Sequence, residues 1–219
     1  MHLFYLHGFA SSAASTKAAF LAERLARHSL ALHVPDFNEP AFETLTVTRM
    51  IDQVRAAIRA LPPAPAVLVG SSLGAFVAWH VAAAAEAEGR PLHRLVLLAP
   101  ALDFGRRRMS GLTEDDVTRW RQEGAREFFH YGFGEARRVG YALYEDAQQY
   151  DSTTAHVAAP TLVFMGRRDE IVSPEGVEAF CVARPNLRLV LLDDEHQLSR
   201  SLDRIWLDTA AFLGLPAGA

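Results

Sequence analysis

The residues GSSLG at positions 70–74 place Ser72 between Gly70 and Gly74. An apolar run precedes this pentapeptide and a helix-forming stretch follows it, a context that is typical of a nucleophilic serine on a sharp strand-to-helix turn. The backbone of such a serine is strained, and a residue larger than glycine on either side would crowd the turn. We therefore predict Ser72 as a nucleophile. The alternative is a glycine-rich turn that holds a buried structural serine.

A serine hydroxyl is a weak nucleophile at neutral pH, so it needs a histidine that takes its proton and returns it to the leaving group. Of the nine histidines, His196 lies on the loop between the last predicted strand and the final helix. His7, on the first loop, is interpreted as a structural group that bonds nearby backbone. His80 lies on the helix behind Ser72, where we expect it to face packing or solvent. The sequence therefore favours His196 as the base.

The histidine in turn needs a carboxylate that orients it and stabilises the imidazolium as it forms. Asp169 follows the predicted strand at 161–165 and precedes a helix. Asp103, just past the preceding strand, is the main alternative, in which case Asp169 would be a capping or ion-pairing residue. With Asp169 as the acid, the chain order is serine, acid, histidine, which is the order found in α/β-hydrolases.

Attack on a carbonyl creates an oxyanion, and backbone N–H groups are suited to bind it because they need not rearrange during the reaction. The N–H of Leu73, directly after the predicted nucleophile, is one expected donor. The loop after the first strand is expected to supply the other through the N–H of Phe9, since Gly8 allows a close approach of the backbone.

Short apolar segments alternate along the chain with longer amphipathic ones, and several are apolar at consecutive positions, as in strands covered by helices on both faces. The predicted strands are residues 3–6, 31–35, 66–69, 95–99, 161–165 and 188–192, and the clearest helices are 16–27, 44–60 and 73–88. Right-handed crossovers then give an α/β fold with a mostly parallel six-stranded sheet and helices on both faces. His7, Ser72, Asp103, Asp169 and His196 all fall where strands end, at the edge where functional groups collect in such sheets.

Residues 103–150 interrupt this alternation, with no convincing strand and many aromatic residues among charges. We predict a helical cap inserted into a single domain that spans residues 1–219; the alternative is a surface decoration that only shields the sheet. Ligand sites are mostly apolar, so we expect an acyl pocket of modest size. Its candidate lining residues are Phe9, Trp120, Phe128, Phe129 and Tyr131.

The composition narrows the class of protein. Half of the 219 residues are hydrophobic and the net charge is −4, which suits one core and provides no general attraction for nucleic acid. Arg106, Arg107 and Arg108 are interpreted as a solvated helix face. Cys181 is the only cysteine, so neither an intrachain disulfide nor a cysteine-rich zinc site is expected, and the chemistry requires no metal or organic cofactor. The longest apolar stretch is too short for a membrane span and no basic leader begins the chain, so we expect a cytoplasmic protein.

Four motifs together resemble a known family. The opening YLHGFASS at 5–12, with Ser15 and Lys17, is similar to the Y-L-H-G-F-x-S-S-x-x-S-x-K start of the small bacterial α/β-hydrolases of the YqiA/YcfP type. GSSLGA at 70–75, G-x-x-D-x-x-V at 166–172 and D-x-H at 194–196 extend the resemblance over nearly the whole chain. Glu195 departs from the family, which usually has Gly or Ser before this histidine. The resemblance implies Ser72 as nucleophile, Asp169 as acid, His196 as base and the hydrolysis of acyl esters.

The sequence thus predicts a serine carboxylic-ester hydrolase that forms an acyl-enzyme on small to medium acyl esters. One alternative is an acyl thioesterase, because the same residues cleave thioesters and the arginines at 106–108 would attract an anionic carrier. A second, of another class, is a ligand-binding protein that keeps a hydrolase scaffold without turnover. The expected partner in the first two cases is a small-molecule ester or thioester. The sequence does not determine the oligomeric state.

Overall fold

The computed structural model describes residues 1–104 and 112–216. Within these ranges the strands are β1 (His2–Leu6), β2 (Leu32–His33), β3 (Ala66–Ser71), β4 (Arg94–Leu98), β5 (Ala125–His130), β6 (Glu135–Gly140), β7 (Thr161–Gly166) and β8 (Leu187–Leu192). The α-helices of the same ranges are α1 (Thr16–Ala26), α2 (Val47–Arg59), α3 (Leu73–Ala87), α4 (Glu114–Glu123), α5 (Ala142–Ala147), α6 (Pro174–Val182) and α7 (Leu202–Leu213). Short 3₁₀ helices occupy Phe42–Thr44 and Ser199–Ser201.

The main sheet contains the six strands that the apolar runs predict, and every pair in it is parallel. Its strand order is β2-β1-β3-β4-β7-β8. Strands β3 and β7 are buried at every position, because helices cover both faces of the sheet. The predicted α/β fold is therefore confirmed. Strand β2 is shorter than predicted because only Leu32 and His33 pair with β1 at this edge.

Helix α3 fixes the direction in which the chain leaves the central strand β3. It is buried from Leu73 to Ala82, since its side chains in that stretch are almost all apolar and it packs against β3 and α2. Helices α1 and α2 begin at capping hydroxyls, Ser15 and Thr46, that accept backbone N–H groups three residues later. These caps fix where the two helices that flank the sheet begin, near its carboxyl edge.

The segment between β4 and β7 differs from the predicted helical cap. Helix α4 agrees with the expected helical insertion, and it starts with a capping box between Thr113 and Asp116. Residues 125–140, however, form the antiparallel hairpin β5–β6, so the prediction of a purely helical insertion is wrong there. Strand β6 escaped prediction because it is exposed from Glu135 to Arg138 and buries only Val139, which leaves little apolar pattern to detect.

His80 lies on α3 and is buried in the core, which is one of the two placements expected for it. The residue is 7% exposed, and its Nε2 lies 3.2 Å from Ser152 Oγ. Its ring also packs edge-on against Phe76 and Tyr150. Burial lowers the pKa of His80 to about 4, although the nearby Asp151 carboxylate opposes part of this shift. His80 is therefore neutral in the folded protein.

This burial predicts a loss of stability on acidification. The unfolded chain protonates His80 below a pKa of 6.5 and the folded chain only below about 4, so unfolding takes up a proton between these values and stability falls as the pH falls. The full shift corresponds to roughly 3 kcal/mol. We expect His80→Gln, which retains an amide at the Ser152 contact, to flatten this fall in urea titrations at about pH 7 and about pH 5. The exposed His156→Gln is the matched control, and equal pH slopes in wild type and His80→Gln would contradict the prediction.

Candidate active site

Ser72 lies on a strained turn between β3 and α3. Its backbone has φ 53° and ψ −115°, a region that non-glycine residues rarely occupy. A Cβ atom added at Gly70 would lie 2.5 Å from Gly74 O, and one at Gly74 would lie 2.0 Å from Leu6 O. The crowding expected at both glycines is therefore present, and the turn presents the Ser72 side chain at the carboxyl edge of the sheet.

The close approach at Gly74 predicts that Gly74→Ala unfolds or severely destabilises the protein. The new methyl group would overlap the backbone of Leu6, the last residue of β1, and of His7, the residue after it. Because β1 is paired with a strand on each side, this backbone cannot move aside cheaply. We expect a loss of more than about 4 kcal/mol in the free energy of unfolding, measured by urea denaturation. Gly176→Ala in the exposed first turn of α6 is the control, because its Cβ would meet only Ser173 at 3.5 Å. A loss at Gly74 no larger than at Gly176 would show that the turn adapts.

A continuous chain of hydrogen bonds joins three residues that are far apart in the sequence. His196 Nε2 lies 3.0 Å from Ser72 Oγ, and His196 Nδ1 lies 2.7 Å from Asp169 Oδ2. The other carboxylate oxygen, Asp169 Oδ1, accepts the N–H groups of Ile171 and Val172, both at 2.8 Å. The Asp169 side chain is fully buried, whereas that of His196 is 15% exposed. This arrangement can transfer the serine proton to the imidazole while the carboxylate holds the other ring nitrogen.

The structure separates the two candidate acids. Asp103 lies past β4 on an exposed part of the chain, and His196 bonds Asp169 rather than Asp103. Strand β7 lies between β4 and β8 in the sheet, so the loop after β7 is the direct neighbour of the loop that carries His196. The adjacency of the strands therefore brings Asp169, and not Asp103, to the histidine.

The loop that carries His196 is held by Asp194, which is not among the predicted site residues. The buried Asp194 accepts the N–H of Glu195 through Oδ1 at 2.8 Å and the N–H of Arg200 through Oδ2 at 3.0 Å. A Cβ at Gly166 would lie 2.6 Å from Asp194 O, so this glycine lets the loop pack onto the end of β7. The only sequence signal for Asp194 was its place in the D-x-H motif.

Lys17 also contacts this loop. Its Nζ donates to Gln197 Oε1 at 3.1 Å, next to the histidine in the chain. Burial lowers the pKa of Lys17 to about 8, and the attraction of the Asp194 carboxylate opposes part of that shift. The loop after β8 is thus fixed from within by Asp194 and from helix α1 by Lys17.

The two residues whose N–H groups are expected to bind an oxyanion lie at the serine turn, on different elements. Leu73 begins α3 directly after Ser72, and a Cβ at Gly8 would lie 3.4 Å from Ser72 Cβ, so the loop before Phe9 passes directly beside the serine. Within residues 1–104 and 112–216, neither Phe9 N–H nor Leu73 N–H has a hydrogen-bond acceptor. Unpaired N–H donors beside a serine hydroxyl are what an oxyanion site requires.

His7 has the structural role that the sequence predicted. Its Nδ1 donates to Gly8 O at 2.9 Å, and its Nε2 accepts the N–H of Phe37 at 3.0 Å. The Asp36 carboxylate lies 3.3 Å from the same Nε2, and its Oδ1 accepts the N–H of Asn38 at 3.0 Å. His7 therefore anchors the loop after β1 to the loop after β2.

The five predicted pocket residues differ in how deeply they are buried. Trp120 is a core residue rather than a lining one, because it is completely buried and its Nε1 donates to Val139 O at 3.0 Å. Phe129 and Tyr131 are 55% and 75% exposed. Phe9 and Phe128 pack edge-on, with ring centroids 5.1 Å apart, beside the serine turn. Strand alternation turns Phe129 outward while Phe128 turns inward.

A cavity of about 510 Å³ lies instead at the ends of β4 and β7. None of the five predicted residues is among the described residues that line it. Its lining includes Pro100, Leu102, Asp103, Val172, Val177 and Phe180. Ala101, between two of these residues, donates its N–H to Ser72 O at 3.3 Å, and Val172 donates to Asp169. The segments that line the cavity are therefore bonded to Ser72 and Asp169, although Ser72, Asp169 and His196 are not themselves among its lining residues.

No cluster of three or more His, Cys, Asp or Glu side chains in residues 1–104 and 112–216 has the arrangement to hold a metal ion. In the same ranges, no helix combines the length and the hydrophobicity that crossing a bilayer requires.

The parallel sheet and the serine turn between β3 and α3 define an α/β-hydrolase fold, and solved structures agree. A candidate hydrolase from Agrobacterium vitis S4 superposes with a TM-score of 0.83 at 23% identity, over 96% of this chain and 87% of that one. Mouse α/β hydrolase domain-containing protein 10 superposes with a TM-score of 0.77 at 19% identity, over 97% of this chain and 89% of that one. A monoacylglycerol lipase from Paleococcus ferrophilus superposes with a TM-score of 0.76 at 14% identity, over 96% of this chain and 93% of that one. At these identities the similarity establishes the fold.

The particular family follows from the sequence. Residues 2–212 match the model of an uncharacterised protein family, UPF0227, and the chain belongs to this family. This match confirms the resemblance to the YqiA/YcfP type that the opening motif and the serine turn indicated. No curated protein sequence is a significant match to the chain.

Proposed function

We propose that this protein is a serine carboxylic-ester hydrolase that works through an acyl-enzyme. The observation that carries the proposal is the unbroken set of hydrogen bonds from Ser72 through His196 to the buried Asp169, with the serine on a strained turn. A strained backbone at a reactive side chain is costly and persists where the surrounding structure enforces it, which is typical of functional sites.

In the proposed reaction, Ser72 Oγ attacks the ester carbonyl carbon while His196 Nε2 takes the hydroxyl proton. The Asp169 carboxylate stabilises the resulting imidazolium, and the N–H groups of Phe9 and Leu73 bind the oxyanion. The C–O bond to the alcohol then breaks, and His196 returns the proton to that alcohol. Water attacks the acyl-enzyme with His196 as base, which releases the carboxylic acid and regenerates Ser72.

The cavity at the ends of β4 and β7 supports small to medium acyl groups as substrates. Leu102, Val172, Val177 and Phe180 provide apolar surface in a volume of about 510 Å³, within the range of small-molecule sites. The thioesterase alternative depended on the arginines at 106–108, which lie outside the described residues. We propose oxygen esters as the main substrates, and the comparison with a thioester described below tests this choice.

The proposal is tested with a short-chain chromogenic ester and a serine-reactive phosphonate. We expect wild-type protein to release the chromophore with a burst equal to about one product per active site when deacylation limits turnover. Peptide mass mapping should place the phosphonate adduct on Ser72. A parallel assay with the matching thioester gives the ratio of kcat/KM values for the two substrate classes. Binding of the ester without turnover or labelling would favour the non-catalytic ligand-binding alternative.

A further inference from the structure

The loop that follows β1 holds a strained residue directly beside Phe9. Residues 8–12, here called the oxyanion loop, belong to no helix or strand. Within it, the buried Ala10 has φ 52°, which is in the left-handed region that residues with a Cβ rarely adopt. Strain of this kind costs on the order of 1 kcal/mol or more and persists only when other contacts impose it. The contacts that hold Ala10 therefore also hold the neighbouring Phe9 N–H.

The hairpin β5–β6 supplies one of these contacts. The N–H of Tyr131, at the hairpin turn, donates to Ala10 O at 2.8 Å. A Cβ at Gly132 would lie 2.8 Å from Ser12 Cβ, so the turn packs directly onto the far end of the loop. The Phe9 ring meets Phe128 of the same hairpin. The hairpin thus contacts the oxyanion loop at both ends and at its strained centre.

A second contact reaches the loop through Asn38 and His130, and its hydrogen-bond directions can be assigned. The Ser11 carbonyl can only accept, so Asn38 Nδ2 is the donor to it at 2.9 Å, which leaves Asn38 Oδ1 facing His130 Nε2 at 3.0 Å. The Phe133 N–H lies 3.2 Å from His130 Nδ1. Because a backbone N–H can only donate, His130 Nδ1 must be the acceptor. His130 is therefore neutral, carries its proton on Nε2 and donates it to Asn38.

His130 is completely buried, and none of the steps proposed for ester hydrolysis uses it. Its ring stacks on Phe133 at 4.0 Å between centroids and meets Phe42 edge-on at 4.7 Å. Burial also lowers its pKa, in agreement with the neutral form. A buried polar side chain with both ring nitrogens bonded fixes its neighbours strongly, because any other arrangement leaves a polar group unpaired.

We propose that the β5–β6 hairpin holds the oxyanion loop in its strained conformation, with His130 as the positioning residue that aligns Phe9 N–H through Asn38 and Ser11. The inference rests on the proposed function for the role of Phe9, but the hold of the hairpin on the loop is a separate claim. The insertion is then part of the catalytic apparatus as well as a cover for the sheet.

Two substitutions of the same residue separate the two bonds of the ring. His130→Gln places an amide near the position of Nε2 and retains the donor to Asn38, whereas His130→Asn places its amide near Nδ1 and retains only the acceptor for Phe133. Both variants remove the imidazole and its stacking, so general damage to the core affects them alike. The exposed Glu127→Gln on the same strand serves as the control for the hairpin surface.

The test measures kcat and KM for the chromogenic ester together with amide hydrogen exchange of residues 8–12. We expect His130→Asn to lower kcat by roughly 10-fold or more with little change in KM, and to accelerate exchange in the oxyanion loop, because a misaligned donor costs transition-state binding. His130→Gln should stay closer to wild type in both measurements.

The outcomes distinguish this inference from the proposed function. Equal losses in the two His130 variants would overturn the polar relay in favour of simple packing. Unchanged exchange of residues 8–12 in His130→Asn would overturn the hold of the hairpin on the loop. If the wild-type protein hydrolyses no ester, the proposed function fails, while the exchange comparison still decides whether the hairpin orders the loop.

Discussion

Replacing Ser72 by alanine is expected to lower kcat for ester hydrolysis by roughly 10⁴-fold or more and to abolish phosphonate labelling. The Ser72 hydroxyl bonds His196 Nε2, and its loss leaves the imidazole without a nucleophile to activate. The remaining N–H donors still bind substrate and oxyanion, so KM should change less than kcat. Steady-state kinetics and peptide mass mapping measure both effects.

Ser71→Ala is the matched control for this change. Ser71 is the neighbouring serine and is buried, and His196 bonds Ser72 and Asp169 instead of Ser71. Loss of the Ser71 hydroxyl should leave the phosphonate adduct at position 72 and kcat within a few-fold of wild type. Thermal unfolding of both variants separates a catalytic loss from a folding defect. Turnover by Ser72→Ala within tenfold of wild type would mean that another group is the nucleophile.

The second large effect is expected from Asp169→Asn, which should lower kcat by about 10³- to 10⁴-fold. The N–H groups of Ile171 and Val172 require an acceptor, so they hold the amide oxygen of the new asparagine on their side. Its NH₂ group then faces His196 Nδ1 and makes that nitrogen an acceptor. The ring proton moves to Nε2, where it blocks acceptance of the Ser72 proton.

Asp103→Asn provides the comparison, because both aspartates follow strands at the same edge of the sheet and only one bonds the histidine. We expect this variant to retain kcat within about threefold, since it removes no hydrogen bond to His196. An effect on KM alone would fit its place in the lining of the cavity. If Asp103→Asn caused the greater fall in kcat, the roles assigned to the two carboxylates would have to be exchanged.

Most of the fold was predictable because its signals are local. Strands buried on both faces produce uninterrupted apolar runs, and helices that flank them produce apolar stripes, so each could be detected within a few residues. Strand β6 gave no such signal, since one polar strand paired to β5 needs only Val139 in the core. Its formation depends on the partner strand and on Gly134, whose φ of 72° permits the hairpin turn.

The aromatic residues show a similar limit. Composition indicated an apolar region near the insertion, but a tryptophan that lines a pocket and one that fills a core have the same side chain. The buried position of Trp120 depends on the carbonyl of Val139, which lies on the unpredicted strand. The cavity of about 510 Å³ is lined by residues that follow β4, that follow β7 and that lie on α6. No local sequence pattern connects these three segments.

By itself, the sequence determined the strand-to-helix turn at Ser72, the set of candidate partners and the edge of the sheet where they lie, because glycine requirements and apolar periodicity act over short stretches. Only the tertiary structure showed that His196 bonds Asp169 rather than Asp103, and which groups Asp194 and His130 bond. The bonds of His196 span 27 residues to Asp169 and 124 to Ser72. Contacts at such separations depend on which strands are neighbours and how their loops pack, and no short stretch of sequence contains that information.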